Sequence, residues 1–265
     1  MPVNGRGWRV SLVLLAWLLS VATGHAADVA ASDARRSGFN DMGRSLQAMQ
    51  RDDAQNPAML WVKDGEALWS QPAGQSGKSC ASCHAVAQSS MRGVAARYPA
   101  MDEIGKRPIT LGQRINQCRD NHQQARPFAH ESQELLALEA FVGQQSRGLP
   151  LAPPDDARLE PFRVQGERLF MQRVGQLNLS CAQCHDQLAG KRLGGSPIPQ
   201  AHIGTYPLYR LEWQGLGSLQ RRLRGCMAGV RAEPYPYGSP EYVALELYLA
   251  LRSKGMLVET PAVRP

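Results

Sequence analysis

Three stretches of the chain carry apolar residues at the spacing of one helix face. In 61–70 and 163–172 the apolar positions recur three or four residues apart among helix-forming residues, which predicts a helix in each stretch. A third helix is predicted over the apolar residues of 242–251, because Ser239 is a favourable N-cap before them and Gly255 is a favourable stop after them.

Long alternation of apolar and polar residues, the pattern of half-buried β-strands, does not occur in the sequence. The loops between the predicted helices are long and rich in glycine and proline. The predicted fold class is therefore mainly α with long irregular loops. Small helical domains of this kind need a buried group to complete their cores, and a large apolar cofactor would supply it.

The sequence repeats itself. Gly65 lies fifteen residues before Cys80, Gly166 lies fifteen residues before Cys181, and each of these cysteines begins a C-x-x-C-H motif. An R-x-x-x-C motif follows in each unit, and the proline-rich stretch 148–156 separates the units. This order predicts two duplicated domains, with boundaries at 27–149 and 150–265.

The first twenty-six residues have the parts of a secretory signal peptide. Arg6 and Arg9 precede a mostly apolar stretch, 10–21, and small residues follow up to Ala26. We predict that 1–26 is cleaved on export and leaves no membrane anchor, because the apolar stretch is shorter than the roughly 18 to 20 residues that span a bilayer. Export would place all six cysteines in an oxidising compartment.

Composition excludes some classes of protein. Of 265 residues 43% are hydrophobic, enough for a folded core, so the chain is not predicted to be disordered. Thirty Lys and Arg against 23 Asp and Glu give a net charge of +7. These charges are spread along the chain rather than clustered, and nucleic acid is not an indicated partner.

The two C-x-x-C-H motifs indicate which cofactor the chain binds. Two thiols at this spacing can attach to the two vinyl groups of one haem, and the adjacent histidine can ligate its iron. A zinc site built from both cysteine pairs and a thioredoxin-like dithiol in each are the alternatives. The zinc site would leave the two histidines unexplained, and the thioredoxin motif needs a βαβ setting that the sequence does not show. We predict two covalently bound haem c groups, attached through Cys80 and Cys83 and through Cys181 and Cys184, with His84 and His185 as proximal ligands.

The two remaining cysteines are candidates for the opposite axial position. Cys118 and Cys226 occupy the same place in their own units, as expected of ligands to separate haems. A disulfide between them is the alternative that an oxidising compartment favours. Met227, next to Cys226, is the rival ligand.

An arginine precedes each of these cysteines by four residues. Within a helix Arg222 would share a face with Cys226, where its guanidinium could hold an oxyanion beside the sulfur. Arg114 repeats this geometry with Cys118, but a haem propionate or solvent is its expected partner. Further arginines at 221 and 224 make the second site the more cationic. A small anionic sulfur compound suits that site better than peroxide does.

These motifs resemble the dihaem form of SoxA, a subunit of the periplasmic thiosulfate-oxidising cytochrome SoxAX. The resemblance covers nearly the whole mature chain. It is carried by the paired C-x-x-C-H and R-x-x-x-C motifs and, in the second unit, by the Tyr206–Pro207–Leu208–Tyr209–Arg210, Glu212–Trp213–Gln214 and Arg222–Leu223–Arg224–Gly225–Cys226 runs.

The resemblance implies a function and a set of site residues. His84 and Cys118 would ligate the first haem, and His185 and Cys226 the second. Cys226, found as a persulfide in the family, would be catalytic, and Arg222 would bind thiosulfate. The chain would join thiosulfate to a cysteine of the carrier protein SoxY and pass electrons to the monohaem cytochrome SoxX, its partner in a periplasmic heterodimer.

Two other functions stay open from the residues. A dihaem electron-transfer cytochrome would need no reactive sulfur, and a dihaem peroxidase would need an iron with an open or displaceable position.

Overall fold

The computed structural model describes residues 1–3 and 34–265. The predicted signal peptide therefore lies, apart from its first three residues, outside the described residues. Within the described part of the chain, no helix is both long enough and apolar enough to cross a membrane. Residues 35–149 and 150–265 are called the first and second halves below.

The first half contains short and medium-length helices and one β-hairpin. Its α-helices are α1 (Arg44–Arg51), α2 (Met59–Ser70), α3 (Ala81–His84), α4 (Ala87–Ser90), α5 (Leu111–Cys118) and α6 (Gln133–Gln144). Its hairpin pairs β1 (Ala100–Asp102) antiparallel with β2 (Arg107–Ile109). A π-helical turn, Arg119–Gln123, directly continues α5.

The second half has three longer helices and short strands. Its helices are α7 (Glu160–Met171), α8 (Leu219–Gly229) and α9 (Pro240–Arg252). Its strands are β3 (Arg192–Leu193), β4 (Ser196–Pro197), β5 (Leu208–Arg210), β6 (Gly215–Gly217) and β7 (Ala262–Arg264). The first two form a hairpin, and the last three form a sheet in the order β6-β5-β7. The three helices predicted from apolar spacing are confirmed as α2, α7 and α9.

One close helix contact recurs in both halves. Helix α2 packs on α6, and α7 packs on α9. At Gly65 an added Cβ would collide with the backbone carbonyl of Ala137, and at Gly166 it would collide with that of Ala244. Only glycine allows the two helix backbones to approach this closely, which explains why the repeated glycine stands in the middle of a helix despite its low helix propensity.

The two halves share their apolar cores. Trp69 and Phe141 of the first half pack in one cluster with Tyr209 and Val263, which come from the β6-β5-β7 sheet of the second half. The stretch predicted as a linker is also held in place: Leu151 N donates to Met256 O at 2.8 Å, and the neighbouring Gly148 N donates to Val258 O at 2.8 Å. Residues 35–265 thus form one compact unit.

Partly buried carboxyl groups line a pocket of about 110 Å³ between the halves. Glu139 on α6 packs against Gly112 of α5, and Glu246 on α9 accepts a hydrogen bond from Gln220 of α8 at 2.7 Å. Burial, helped by the charges of Glu246 and Glu131, raises the pKa of Glu139 to about 8. Burial and Glu131 raise the pKa of Glu246 to about 7 despite the Gln220 hydrogen bond. These groups therefore keep their protons at pH values where an exposed glutamate is ionised.

We expect Gly65→Ala and Gly166→Ala each to destabilise the fold by about 2 kcal/mol, because the new methyl group forces a helix pair apart. Chemical denaturation of the holoprotein measures the effect. Gly229→Ala is the matched control, since nothing lies within 4 Å of its added Cβ and alanine favours the helix. Equal stability of the Gly166→Ala and Gly229→Ala variants would show that the close contact is not required.

The buried glutamates predict a fall in stability between about pH 5 and pH 8. Their pKa values are higher in the folded state than the 4.5 of a free glutamate, so the unfolded chain loses these protons first and folding becomes less favourable as the pH rises. Denaturation at both pH values should show a loss of several kcal/mol, at most about 6 kcal/mol for the two groups together, that Glu139→Gln and Glu246→Gln diminish. An undiminished slope in the double variant would contradict this assignment.

Candidate functional site: two cysteine–histidine sites

The first C-x-x-C-H motif forms a short helix after a loop. Ser79 N donates to Ser82 Oγ at 3.0 Å and Ser82 N to Ser79 Oγ at 3.1 Å, so the two serines cap the turn that carries the cysteines. The helix ends where Ala85 adopts a positive φ of 53°. The His84 ring lies 5.8 Å from the Trp69 ring, centroid to centroid, and thus beside the first apolar core.

The second motif is capped in a similar way but continues into a π-helical turn, Gln183–Gln187. Ser180 N donates to Gln183 Oε1 at 2.9 Å, and Gln183 N donates to Ser180 Oγ at 3.2 Å. His185 Nδ1 lies 2.7 Å from Pro199 O. A carbonyl can only accept, so Nδ1 carries the proton and Nε2 is left with the lone pair that a metal ligand needs.

Backbone hydrogen bonds tie each singleton cysteine to its own pair. In the first half Ser76 N, before the pair, donates to Gln123 O, after Cys118, at 3.2 Å. In the second half Leu177 N donates in the same way to Val230 O, after Cys226, at 3.3 Å. In each half, the loop before the cysteine pair is therefore hydrogen-bonded to the segment that follows the singleton cysteine.

The electrostatics of the thiols follow this grouping. Burial raises the pKa of Cys118, and a nearby Cys83 adds to the increase. Burial raises the pKa of Cys181 to about 11, with Cys226 as the largest charge contribution. All six cysteines are free thiols in the structure, so the alternative of a disulfide between Cys118 and Cys226 is not observed.

The zinc alternative does not match the geometry either. Among residues 1–3 and 34–265, no three His, Cys, Asp or Glu side chains are arranged to hold a metal ion, so the two cysteine pairs do not come together as a four-thiolate site. The rival ligand Met227 has its sulfur engaged, because Tyr242 Oη donates to it at 3.4 Å.

Arg222 and Cys226 both lie on α8, as the helical spacing required. Ser218 caps this helix by accepting a hydrogen bond from Arg221 N at 3.1 Å. Within the described residues, no carboxylate oxygen lies within 4 Å of the Arg222 guanidinium, and its charge acts on the phenol of Tyr206. Burial raises the pKa of that phenol to about 12, so it stays protonated and can donate a hydrogen bond.

The corresponding arginine of the first site is neutralised. Arg114 Nη2 lies 3.4 Å from Oδ1 of Asp102, whose side chain is 3% exposed. Gly105 N and Gln117 Nε2 also donate to this carboxylate, at 2.7 and 3.1 Å. The Gly105 and Gln117 hydrogen bonds and the Arg114 charge hold the pKa of Asp102 below its usual value. Asp102 is thus an ionised partner for Arg114.

The residues present fit covalently bound haem. Each pair includes a partly buried thiol, Cys80 or Cys181, packed against an apolar core. Sequence reasoning missed the Pro199 carbonyl and the Asp102 carboxylate, because both are brought to their sites by loops and strand register rather than by a motif.

Comparison with known proteins gives a consistent result. Residues 64–151 and 165–258 match the family model described as the SoxA/TsdA cytochrome c domain. The L-cysteine S-thiosulfotransferase subunit SoxA of Rhodovulum sulfidophilum is 36% identical over 88% of this chain and 81% of its own length. That of Pseudaminobacter salicylatoxidans is 39% identical over 81% of this chain and 76% of its own length.

The fold has a solved counterpart. A chain in the crystal structure of SoxXA from P. pantotrophus superposes with a TM-score of 0.84 and 33% identity, covering 87% of both chains. The similarity to SoxA seen in the sequence is thereby confirmed, and the fold is that of a cytochrome c-domain protein. The two cysteine–histidine sites occur where the family model matches, and the chain belongs to the SoxA/TsdA cytochrome c-domain family.

Proposed function

We propose that this chain is the SoxA-type subunit of an L-cysteine S-thiosulfotransferase, exported to the periplasm after cleavage of residues 1–26. It joins thiosulfate to a cysteine of a SoxY-type carrier and passes electrons to a SoxX-type monohaem cytochrome with which it forms a heterodimer. One observation carries the proposal: helix α8 presents Cys226 one turn after Arg222, a cation without a carboxylate partner among the described residues. Family membership supports the reaction class.

The proposed cofactors are two haem c groups, one in each of two duplicated, mainly α domains, 27–149 and 150–265. Cys80 and Cys83 would attach the first haem, with His84 and Cys118 as axial ligands. Cys181 and Cys184 would attach the second haem, with His185 and Cys226 as axial ligands. When bound, these groups supply electron transfer. The protein contributes the fixed Nδ1–H of His185, which keeps Nε2 available for the iron.

The chemistry would take place at Cys226. Its sulfur forms a bond with the terminal sulfur of thiosulfate while two electrons leave toward the partner cytochrome. Arg222 holds the sulfonate end through charge-assisted hydrogen bonds. A thiolate of the carrier then attacks that same terminal sulfur and releases Cys226. Overall, one carrier thiol and one thiosulfate give one carrier S-thiosulfonate, one proton and two electrons.

The first site would serve as a relay or a structural centre. Its arginine is already paired with Asp102, so it offers no free cation to an anionic substrate. Thiolate ligation would also lower the reduction potential of both haems, because a thiolate donates strongly to ferric iron.

We expect two haems per chain in the mature protein. Intact-protein mass spectrometry and a haem-to-protein ratio should both give this count, and Cys181→Ala with Cys184→Ala should reduce it to one, because one pair of thioether bonds is lost. A wild-type count other than two would contradict the assignment of the cysteine pairs.

Cys226→Ala should abolish transfer of thiosulfate to the carrier while both haems remain attached. Met227→Leu is the matched control: it changes the adjacent residue of the same helix, and its sulfur is already bonded to Tyr242, so transfer should persist. Retained transfer by Cys226→Ala would support a plain electron-transfer cytochrome instead, whereas peroxide turnover by the isolated protein would support a peroxidase.

A further inference from the structure

The two halves place residues of opposite charge at one equivalent position. In the first half Tyr98 and Pro99 precede the three residues of β1, which end at Asp102. In the second half Tyr206 and Pro207 precede the three residues of β5, which end at Arg210. The last strand residue pairs with the first residue of the next strand in both hairpins, Asp102 with Arg107 and Arg210 with Gly215.

The two hairpins also lead into equivalent helices. Strand β2 ends directly before Thr110, the N-cap of α5, and β6 ends directly before Ser218, the N-cap of α8. Each cap is followed four residues later by the arginine of the R-x-x-x-C motif. In both halves, therefore, a connection of the same length and form separates the last residue of the strand from the arginine of the R-x-x-x-C motif.

In the first half, the side chains at these two positions are in contact. Asp102 at the strand end reaches Arg114 on the helix, with 3.4 Å between carboxylate and guanidinium. By this equivalence we infer that the side chain at position 210 lies near Arg222. The electrostatics agree, because burial and then the charge of Arg222 lower the pKa of Arg210 below that of a free arginine.

Arg210 is held firmly but is poorly neutralised. Its side chain is 15% exposed and stacks on Trp213, with its Cζ 5.3 Å from the ring centroid. Its Nε donates to Pro265 O at 2.9 Å. Glu212 lies 3.7 Å away and is 66% exposed. Pro265, whose O accepts the Nε hydrogen bond, is the last residue of the chain and is exposed as well, so solvent weakens both of these interactions. Two partly buried positive charges near one another repel, and an anion between them offsets the repulsion.

We propose that Arg210 is a second anion-binding residue, which together with Arg222 holds the sulfonate of thiosulfate at Cys226, and that Asp102 denies this role to the first site. The proposal rests on the proposed function of Cys226 and Arg222. Thiosulfate carries two negative charges, and two guanidinium forks match its oxygens in number and charge. At the first site the same position holds a carboxylate, which would repel the substrate. A single charge reversal between the repeats thus selects one of two otherwise similar cysteines.

The test uses the complete heterodimer with both haems attached and a saturating concentration of carrier. Arg210→Gln should raise the KM for thiosulfate about tenfold or more, while kcat changes less than threefold, because a hydrogen-bonded charge is lost but Cys226 is untouched. Sulfate is an inert tetrahedral dianion, and its Kd, measured by calorimetry, should rise by a similar factor. Arg210→Met is the second neutral variant, to be used if the glutamine variant loses a haem.

Arg231→Gln is the control. It removes an equal charge from an exposed position just after α8, so a change of no more than twofold in either constant is expected. An unchanged KM and an unchanged sulfate Kd in a folded Arg210 variant would overturn the role of Arg210 alone. Absence of transfer to the carrier by the wild-type heterodimer would instead overturn the proposed function.

Discussion

Backbone hydrogen bonds between the loop before each cysteine pair and the segment after each singleton cysteine are the constraint on which both sites depend. The bonds from Ser76 to Gln123 and from Leu177 to Val230 bring together cysteines that are far apart in sequence. Side-chain contacts support the same connection, since Gln123 Nε2 lies 3.8 Å from Cys80 Sγ and Cys181 packs in one apolar cluster with Leu219 of α8. Each singleton cysteine is thereby held on the same side of its half as its cysteine pair.

The second site is also supported by the first half. Strand β5, which ends at Arg210, packs through Tyr209 into the same apolar cluster as Trp69 and Phe141. Glu246 links α9 to the helix that carries Cys226, and Glu139 touches the equivalent helix of the first half. A change in the first half would thus reach the second site through packing. This connection offers a structural reason for retaining the first half even though the proposed chemistry occurs in the second.

Much of this organisation could be predicted from the sequence. Helices α2, α7 and α9 follow from apolar spacing, and the equal spacing from Gly65 and Gly166 to their cysteine pairs locates the repeat. Those glycines are informative because a backbone contact demands them, so they recur where neighbouring residues vary.

Other features of the structure could not be predicted from the residues near them in the sequence. Strand register shows that Asp102 and Arg210 occupy equivalent positions, and the contact of Asp102 with the next helix shows why their opposite charges matter. Neither can be read from the local sequence. The bond from His185 to Pro199 depends on the path of the chain just after the β3–β4 hairpin. The pairing of β7 with β5 joins residues far apart in the chain, and three-residue strands are too short to show alternation. The repeated Ala-Leu-Glu triplets at 137–139 and 244–246 are visible in the sequence, but the burial of their carboxyl groups is not.

In the proposed function, charge distinguishes the two similar cysteine sites, so that sulfur chemistry occurs at Cys226 and not at Cys118. The most direct measurement is peptide mass spectrometry of the oxidised heterodimer after incubation with isotopically labelled thiosulfate in the absence of carrier. The account predicts labelled sulfur on the peptide containing Cys226 and none on the peptide containing Cys118. Label on Cys118, or equal label on both, would contradict it.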